Sequence, residues 1–245
     1  MKTGLYFQDP KYAVGDVRPD FIFDPSLVLY LPLYKLDGAS FMSKDAYGHL
    51  CTVTGALWTP RGRGFDGVDD RITVGNESFW DTLLNGQNPF SVGFWYKADK
   101  PSDIATIWAK GNDPVFTGLY NGTHGGSPSA TDFQFQIKKA TDDQIHISIT
   151  NIYAKDIWQH WSIAYDGSGN ASGVEIDVNN VRQSLTIRTD NLVPPMTNNR
   201  DLKLGIGVIT TWFLSGLLGE FWLNSRMLTP QERQHNYLAT KWRYR

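Results

Sequence analysis

Three carboxylates fall within five positions of the segment Phe65-Asp66-Gly67-Val68-Asp69-Asp70, and a fourth, Glu220, follows Gly219 far downstream. Carboxylate oxygens are hard ligands. Calcium takes about six to eight oxygens, several of them from carbonyls of irregular loops. Asp45, in Ser43-Lys44-Asp45-Ala46, is one more candidate donor. The same residues have a second use, because short Asp side chains accept hydrogen bonds from turn amides close by. Two readings therefore stand: a calcium site on Asp66, Asp69, Asp70 and Glu220, or a turn braced by Asp66 and Asp69 with Asp70 solvated.

A second pair of carboxylates could do different chemistry. Glu175 and Asp177 alternate with Val174, Ile176 and Val178, so they share one face of a strand. Retaining glycoside hydrolysis needs two carboxyl groups about 5 Å apart. The next residue on that face is Asn179, and an amide cannot protonate a leaving group. The pair also fits a hairpin strand whose polar side faces solvent.

A third group suits recognition. Trp212 follows Thr210-Thr211, and Tyr120, Asn121 and His124 sit in a Gly-rich stretch with Asn112 and Asp113 nearby. An aromatic platform beside amide, imidazole and carboxylate groups is how sugars are held. The alternative is that Trp212 folds back on the rim and the Gly-rich stretch is a connector.

Other chemistries find no support. The five histidines, at 49, 124, 146, 160 and 235, lack zinc spacing. His160, among aromatic neighbours, reads as a structural hydrogen-bonder. Cys51 is the single cysteine, which excludes an intrachain disulfide and reads as a small core residue. Gly205-Ile206-Gly207 has no helix after it, so it lacks the setting of a phosphate loop. A net charge of −2 argues against a nucleic-acid binder. The first ten residues lack the apolar run of a secretory signal. No stretch approaches the roughly 20 apolar residues of a membrane helix. The expectation is a chain with neither a nucleic-acid nor a membrane partner.

These residues need a frame. Residues 27–31 are almost wholly apolar, as in a strand covered on both faces, and Pro32 marks a strand end or an edge. Four sets recur at every second residue: Val92, Phe94 and Tyr96; Phe133, Phe135 and Ile137; Ile145, Ile147 and Ile149; Val174, Ile176 and Val178. Each predicts one buried face. Asn179-Asn180 tolerates positive φ and predicts a two-residue hairpin. About twelve to fourteen strands are expected, enough for two packed antiparallel sheets. Thr229-Pro230-Gln231-Glu232 supplies an N-cap, a proline at the first helical position and a capping-box glutamate. It predicts one short helix from Pro230 to Thr240, packed through Tyr237, Leu238 and Trp242. Residues 1–25 contain Pro10, Pro19 and Pro25 and no alternation. They read as an extended arm ahead of a single domain over 26–245.

Five segments in fixed order carry a family resemblance. They are residues 65–74, which follow the Gly-rich turn Arg61-Gly62-Arg63-Gly64, then 89–96, 158–167, 174–180 and 213–221. Over residues 27–236 the chain resembles the laminin-G-like, concanavalin A-like jelly-roll superfamily of lectins and glucanases. The resemblance implies an all-β jelly-roll sandwich of two antiparallel sheets. It implies Trp95, Trp158 and Trp161 on the inner face, and Gly216 where a larger side chain would crowd the opposing sheet. Calcium is the one cofactor it suggests. Glu175-Ile176-Asp177-Val178 is similar to the start of the Glu-x-Asp-x-Glu signature of jelly-roll β-glucanases. The implied function is a non-enzymatic, lectin-like recognition or adhesion module that binds a glycan or a protein surface. A virion component is compatible with it: a phage capsid-decoration, head-fibre or tail protein, displayed on a virion or cell surface. Such a protein would dock on capsid or tail proteins through residues 1–25 and assemble as a homo-oligomer. The alternative is a glucanase-like glycoside hydrolase using Glu175 and Asp177.

Overall fold

The computed structural model describes residues 21, 23–75, 77–100, 105–112, 115–121, 132–196, 199–207, 209 and 211–245. Residues 1–20 and 22 of the expected arm lie outside the described residues. In chain order the strands are β1 (Leu27–Pro32), β2 (Ser40–Met42), β3 (Leu50–Thr54), β4 (Leu57–Thr59), β5 (Gly62–Asp66), β6 (Arg71–Gly75), β7 (Phe90–Ala98), β8 (Ala105–Asn112) and β9 (Val115–Asn121). They continue as β10 (Phe133–Ala140), β11 (Asp143–Ile149), β12 (Trp158–Tyr165), β13 (Val174–Val178), β14 (Val181–Arg182), β15 (Thr186–Asp190), β16 (Leu202–Leu204) and β17 (Ser215–Asn224). A short helix α1 (Ser78–Leu83) precedes β7. The longer α2 (Pro230–Thr240) ends the chain together with a 3-10 turn at Lys241–Tyr244.

The strands form two antiparallel sheets. One has eight strands in the order β14-β13-β12-β7-β17-β5-β4, with β1 also beside β17. The other has nine, in the order β15-β11-β10-β9-β8-β16-β6-β3-β2. β17 is the keystone of the first sheet. Its start pairs with β5, its end pairs with β1, and β7 runs along its other side. All four alternating sets identified in the sequence point into the core between the sheets. There Phe133 stacks on Trp161 with ring centres 4.2 Å apart. Cys51 is buried in the same core, and burial raises its thiol pKa to about 12. The β13–β14 hairpin turns on Asn179 and Asn180 at φ of 51° and 64°, as their side-chain chemistry allows.

A second apolar layer lies on the outer face of the eight-stranded sheet. Leu27, Tyr30, Trp95, Trp222 and Tyr244 form it, with Trp158 and Tyr237 packed against them. β1 is buried along its length because its two faces feed the two layers. Of the three tryptophans expected inside, only Trp161 is in the core. Trp95 and Trp158 face outward, where α2 and the 3-10 turn cover them. The capping box of α2 is formed from Thr229 and Glu232. The helix docks through Arg233, Asn236, Ala239 and Thr240, with Tyr237 stacked on Trp95, rather than through Leu238 and Trp242. The polar side chains win this face because the sheet offers them partners. Trp95 Nε1 donates to Thr240 Oγ1 at 2.8 Å, for example.

Two ionisable groups are sealed here. His160 packs its ring against Trp95, Trp222 and Tyr237, and neither ring nitrogen has a hydrogen-bond partner, contrary to the sequence expectation. Burial lowers its pKa to about 3. Glu220 accepts hydrogen bonds from Tyr30 Oη at 2.9 Å and Arg243 Nη1 at 2.7 Å. Burial still raises its pKa to about 6, although Arg243 opposes the shift. The two groups have opposite linkage. The raised pKa of Glu220 favours the folded state below 4.5, a gain lost as pH rises through 6. The depressed pKa of His160 favours the folded state above 6.5, a gain lost as pH falls toward 3. Between pH 7 and 5 they offset each other. In urea melts over that range, His160→Phe is expected to gain about 1–1.5 kcal/mol on acidification and Glu220→Gln to lose about 2. The same slope in both variants would refute this account.

Candidate functional site

A cleft opens on the outer face of the eight-stranded sheet, at the end where β5 stops and β17 begins. One row of the sheet makes its floor: Leu57 of β4 pairs with Gly64 of β5, Gly64 with Leu217 of β17, and Leu217 with Lys97 of β7. Gly64 carries no side chain, so the floor dips between the two leucines. The β5–β6 turn closes one end with Asp66 and Asp70. Asp99, just past β7 and across β17 from Asp66, and Asp156 complete the lining. The cleft holds about 420 Å³, within the range of small-ligand sites.

Each wall has a local cause. Gly67, at φ +82°, turns the chain after Asp66. Asp66 Oδ1 then accepts from the Val68 amide at 2.8 Å, and Asp70 Oδ2 accepts from the Asp66 amide at 2.9 Å. Asp70 is buried rather than solvated. Burial raises its pKa, the Asp66 amide opposes the rise, and the charges of Asp66 and Asp69 reinforce it. The Asp99 amide donates to the Ser215 carbonyl, and the Asp156 amide donates to the Ala98 carbonyl at 2.8 Å. Gly216 lies in the wall between β5 and β7. A Cβ there would sit 2.3 Å from the Lys97 carbonyl oxygen, so the neighbouring strand crowds this position, not the opposing sheet.

The structure brings together Asp66, Asp69 and Asp70, whose ligand oxygens all lie within 4.8 Å of one another. Three hard oxygen donors at this spacing fit calcium. Glu220 does not join them. It lies five residues beyond Ser215 on β17, about 16 Å along the strand, and is committed to Tyr30 and Arg243. Trp212 is half-buried against Ala109 and Phe116 on the outer face of the nine-stranded sheet, away from this cleft. Asn112 ends β8, and Tyr120 and Asn121 end β9, so they belong to strands rather than to a loop. Asp113 and His124 lie outside the described residues. Sequence reasoning missed Lys97, Asp99 and Asp156. Their only signal was the switch to polar residues directly after each neighbouring apolar run.

The other carboxylate pair is structural. Arg233 of α2 donates through Nε to Asp177 Oδ2 at 2.7 Å and through Nη2 to Glu175 Oε2 at 2.6 Å. Arg182 donates to both acids from the hairpin side. Burial pushes the Glu175 pKa up, but the hydrogen bonds from the two arginines outweigh this and hold it below the usual carboxylate range. Both acids are thus held by two arginines rather than left to open solvent, and Glu175 is not poised to give up a proton near neutrality.

No family model and no curated protein matches the sequence. Among solved structures the chain is similar to Trypanosoma rangeli sialidase in complex with sialic acid, with a TM-score of 0.62 and 13% identity over 89% of this chain and 33% of that one. It is also similar to the receptor-binding domain of botulinum neurotoxin C/D mosaic serotype, with a TM-score of 0.64 and 12% identity over 88% of this chain and 51% of that one. The binding domain of botulinum neurotoxin serotype D gives 0.64 and 13%, over 88% and 52%. The chain thus spans about a third of the sialidase and half of the toxin domains. At such identities the likeness establishes the fold, a β-sandwich of the jelly-roll kind.

Proposed function

We propose that the chain is a non-catalytic, laminin-G-like recognition module that binds a glycan in the cleft between Asp66 and Asp156. The observation that carries this reading is the cleft itself: an apolar floor at Leu57 and Leu217 ringed by acceptors and one lysine donor. Sugars present just such mixed surfaces, with C–H faces beside hydroxyl groups. The fold neighbours lend support, since they include a sialidase bound to sialic acid and receptor-binding domains. The arginine clamp on Glu175 and Asp177 supports binding without hydrolysis. A glycan array probed with the wild type and with Leu57→Asp tests the reading. Signals for a defined glycan that vanish in the variant are expected. No signal, or signals indifferent to the substitution, would remove it.

Asp66, Asp69 and Asp70 would hold a calcium ion at the rim, where it could coordinate a sugar hydroxyl. With a Kd near 10 µM, 1 mM calcium would stabilise the fold by about 2.7 kcal/mol. Asp69→Asn should abolish the gain and leave the calcium-free melt unchanged, because Asp69 is exposed. A melting curve identical with calcium and with chelator would strike calcium from the proposal.

A further inference from the structure

We infer that the cleft selects a glycan bearing a protonated amine, an unacetylated hexosamine, over neutral and anionic sugars; this rests on the cleft being the glycan site. The argument is one of charge balance and shape. Elsewhere in the fold, several half-buried or buried carboxylates are matched to cations: Asp81 to Lys110, Glu175 and Asp177 to two arginines, Glu220 to Arg243, Asp24 and Glu232 to Arg226. The cleft is lined by four carboxylates (Asp66, Asp70, Asp99 and Asp156) and one lysine, Lys97. Asp69 adds a fifth carboxylate at the Asp66 turn, where Arg71 donates to the Asp69 carbonyl. Neither the five carboxylates nor Lys97 takes part in an ion pair among the described residues.

A concave surface lined by one sign of charge focuses its field and concentrates counter-ions. A divalent cation at Asp66 would still leave the cleft negative, and Asp99 lies across β17 from Asp66, both beside Ser215. The ligand is thus asked to bring positive charge. The floor asks for something else as well. Leu57, which is 75% exposed, and Leu217 flank the dip over Gly64. That surface matches the C–H face of a pyranose ring and gives a bare metal ion or a simple polyamine no use for it. Sialic acid, with its carboxylate, is repelled by the same field. An amino sugar satisfies both the floor and the charge.

Isothermal titration with chitosan oligomers, with the same oligomers fully N-acetylated, and with a sialylated oligosaccharide tests the inference. Acetylation keeps the ring and removes the charge. The free-amine oligomer is expected to bind at least tenfold more tightly than its acetylated form. That advantage should shrink several-fold when salt is raised from 50 to 500 mM. Asp99→Asn with Asp156→Asn should erase it too, without moving the melting temperature, since both side chains are exposed. Equal binding of the two forms at the cleft would overturn the amine inference while leaving glycan recognition standing. No binding by any sugar would overturn both. Displacement by a lysine peptide as effective as by the amino sugar would overturn the sugar part of the inference.

Discussion

Gly216→Ala is expected to abolish folding or to cost about 4 kcal/mol or more, the extreme end of single substitutions. Gly216 sits in β17 at φ +131°, paired with Phe65 of β5 on one side and Ala98 of β7 on the other. An added Cβ would lie 2.3 Å from the Lys97 carbonyl oxygen and 3.0 Å from the Asp99 amide nitrogen. Both are backbone atoms. β7 cannot retreat from them, because its other edge is paired along eight positions to β12. Gly38→Ala is the control, since nothing lies within 4 Å of its added Cβ, and its effect should stay within about 0.5 kcal/mol. Soluble yield and urea midpoints decide the matter. A Gly216→Ala protein with a near-native midpoint would show that the ladder between β17 and β7 is far more compliant than its geometry suggests.

The second large effect belongs to Arg233. Only 2% of its side chain is exposed, and it donates to Asp177, to Glu175 and to the Leu228 carbonyl. Removing one partner of a buried ion pair leaves an unpaired charge in low dielectric, at about 3–5 kcal/mol. Arg182 remains on both acids, but from an exposed position, so about 3 kcal/mol is expected for Arg233→Ala. The loss should be local first: α2 loosens, and Trp95 loses Tyr237, Tyr244 and Thr240. Near-UV circular dichroism should therefore fall before far-UV signal during denaturation, which a two-state melt in both probes would contradict. A cycle with Asp177→Asn should recover part of the loss, because the orphaned charge is then gone.

The frame was legible because it is written in local pattern. Period-2 alternation marked the core strands, paired asparagines marked the hairpin, and Thr229 with Glu232 marked the helix start. Alternation states which residues share a face but not which face is inward. Where both faces are apolar, as at Trp95 and Trp161, the choice depends on α2, which arrives from far along the chain. Part of the site was hidden for the same reason. Asp66, Asp69 and Asp70 are neighbours in sequence and were found. Asp99 and Asp156 meet them only through the register of β5, β17 and β7. The partner that ties Glu175 and Asp177 to α2 is an arginine 56 positions from Asp177.

The place of β17 bears on how this chain can be made. Of the described strands, the one that joins β1, β5 and β7 is the last to leave the ribosome, and β1 is the first. Nearly two hundred residues separate the partners Leu27 and Asn224. Until translation reaches that point, three apolar strands lack a neighbour and expose sticky edges. Such wide loop closure makes for slow maturation and a long interval open to aggregation. Premature termination before residue 215 would thus release a sheet without its seam, a substrate for chaperones and proteases and not a smaller version of the domain.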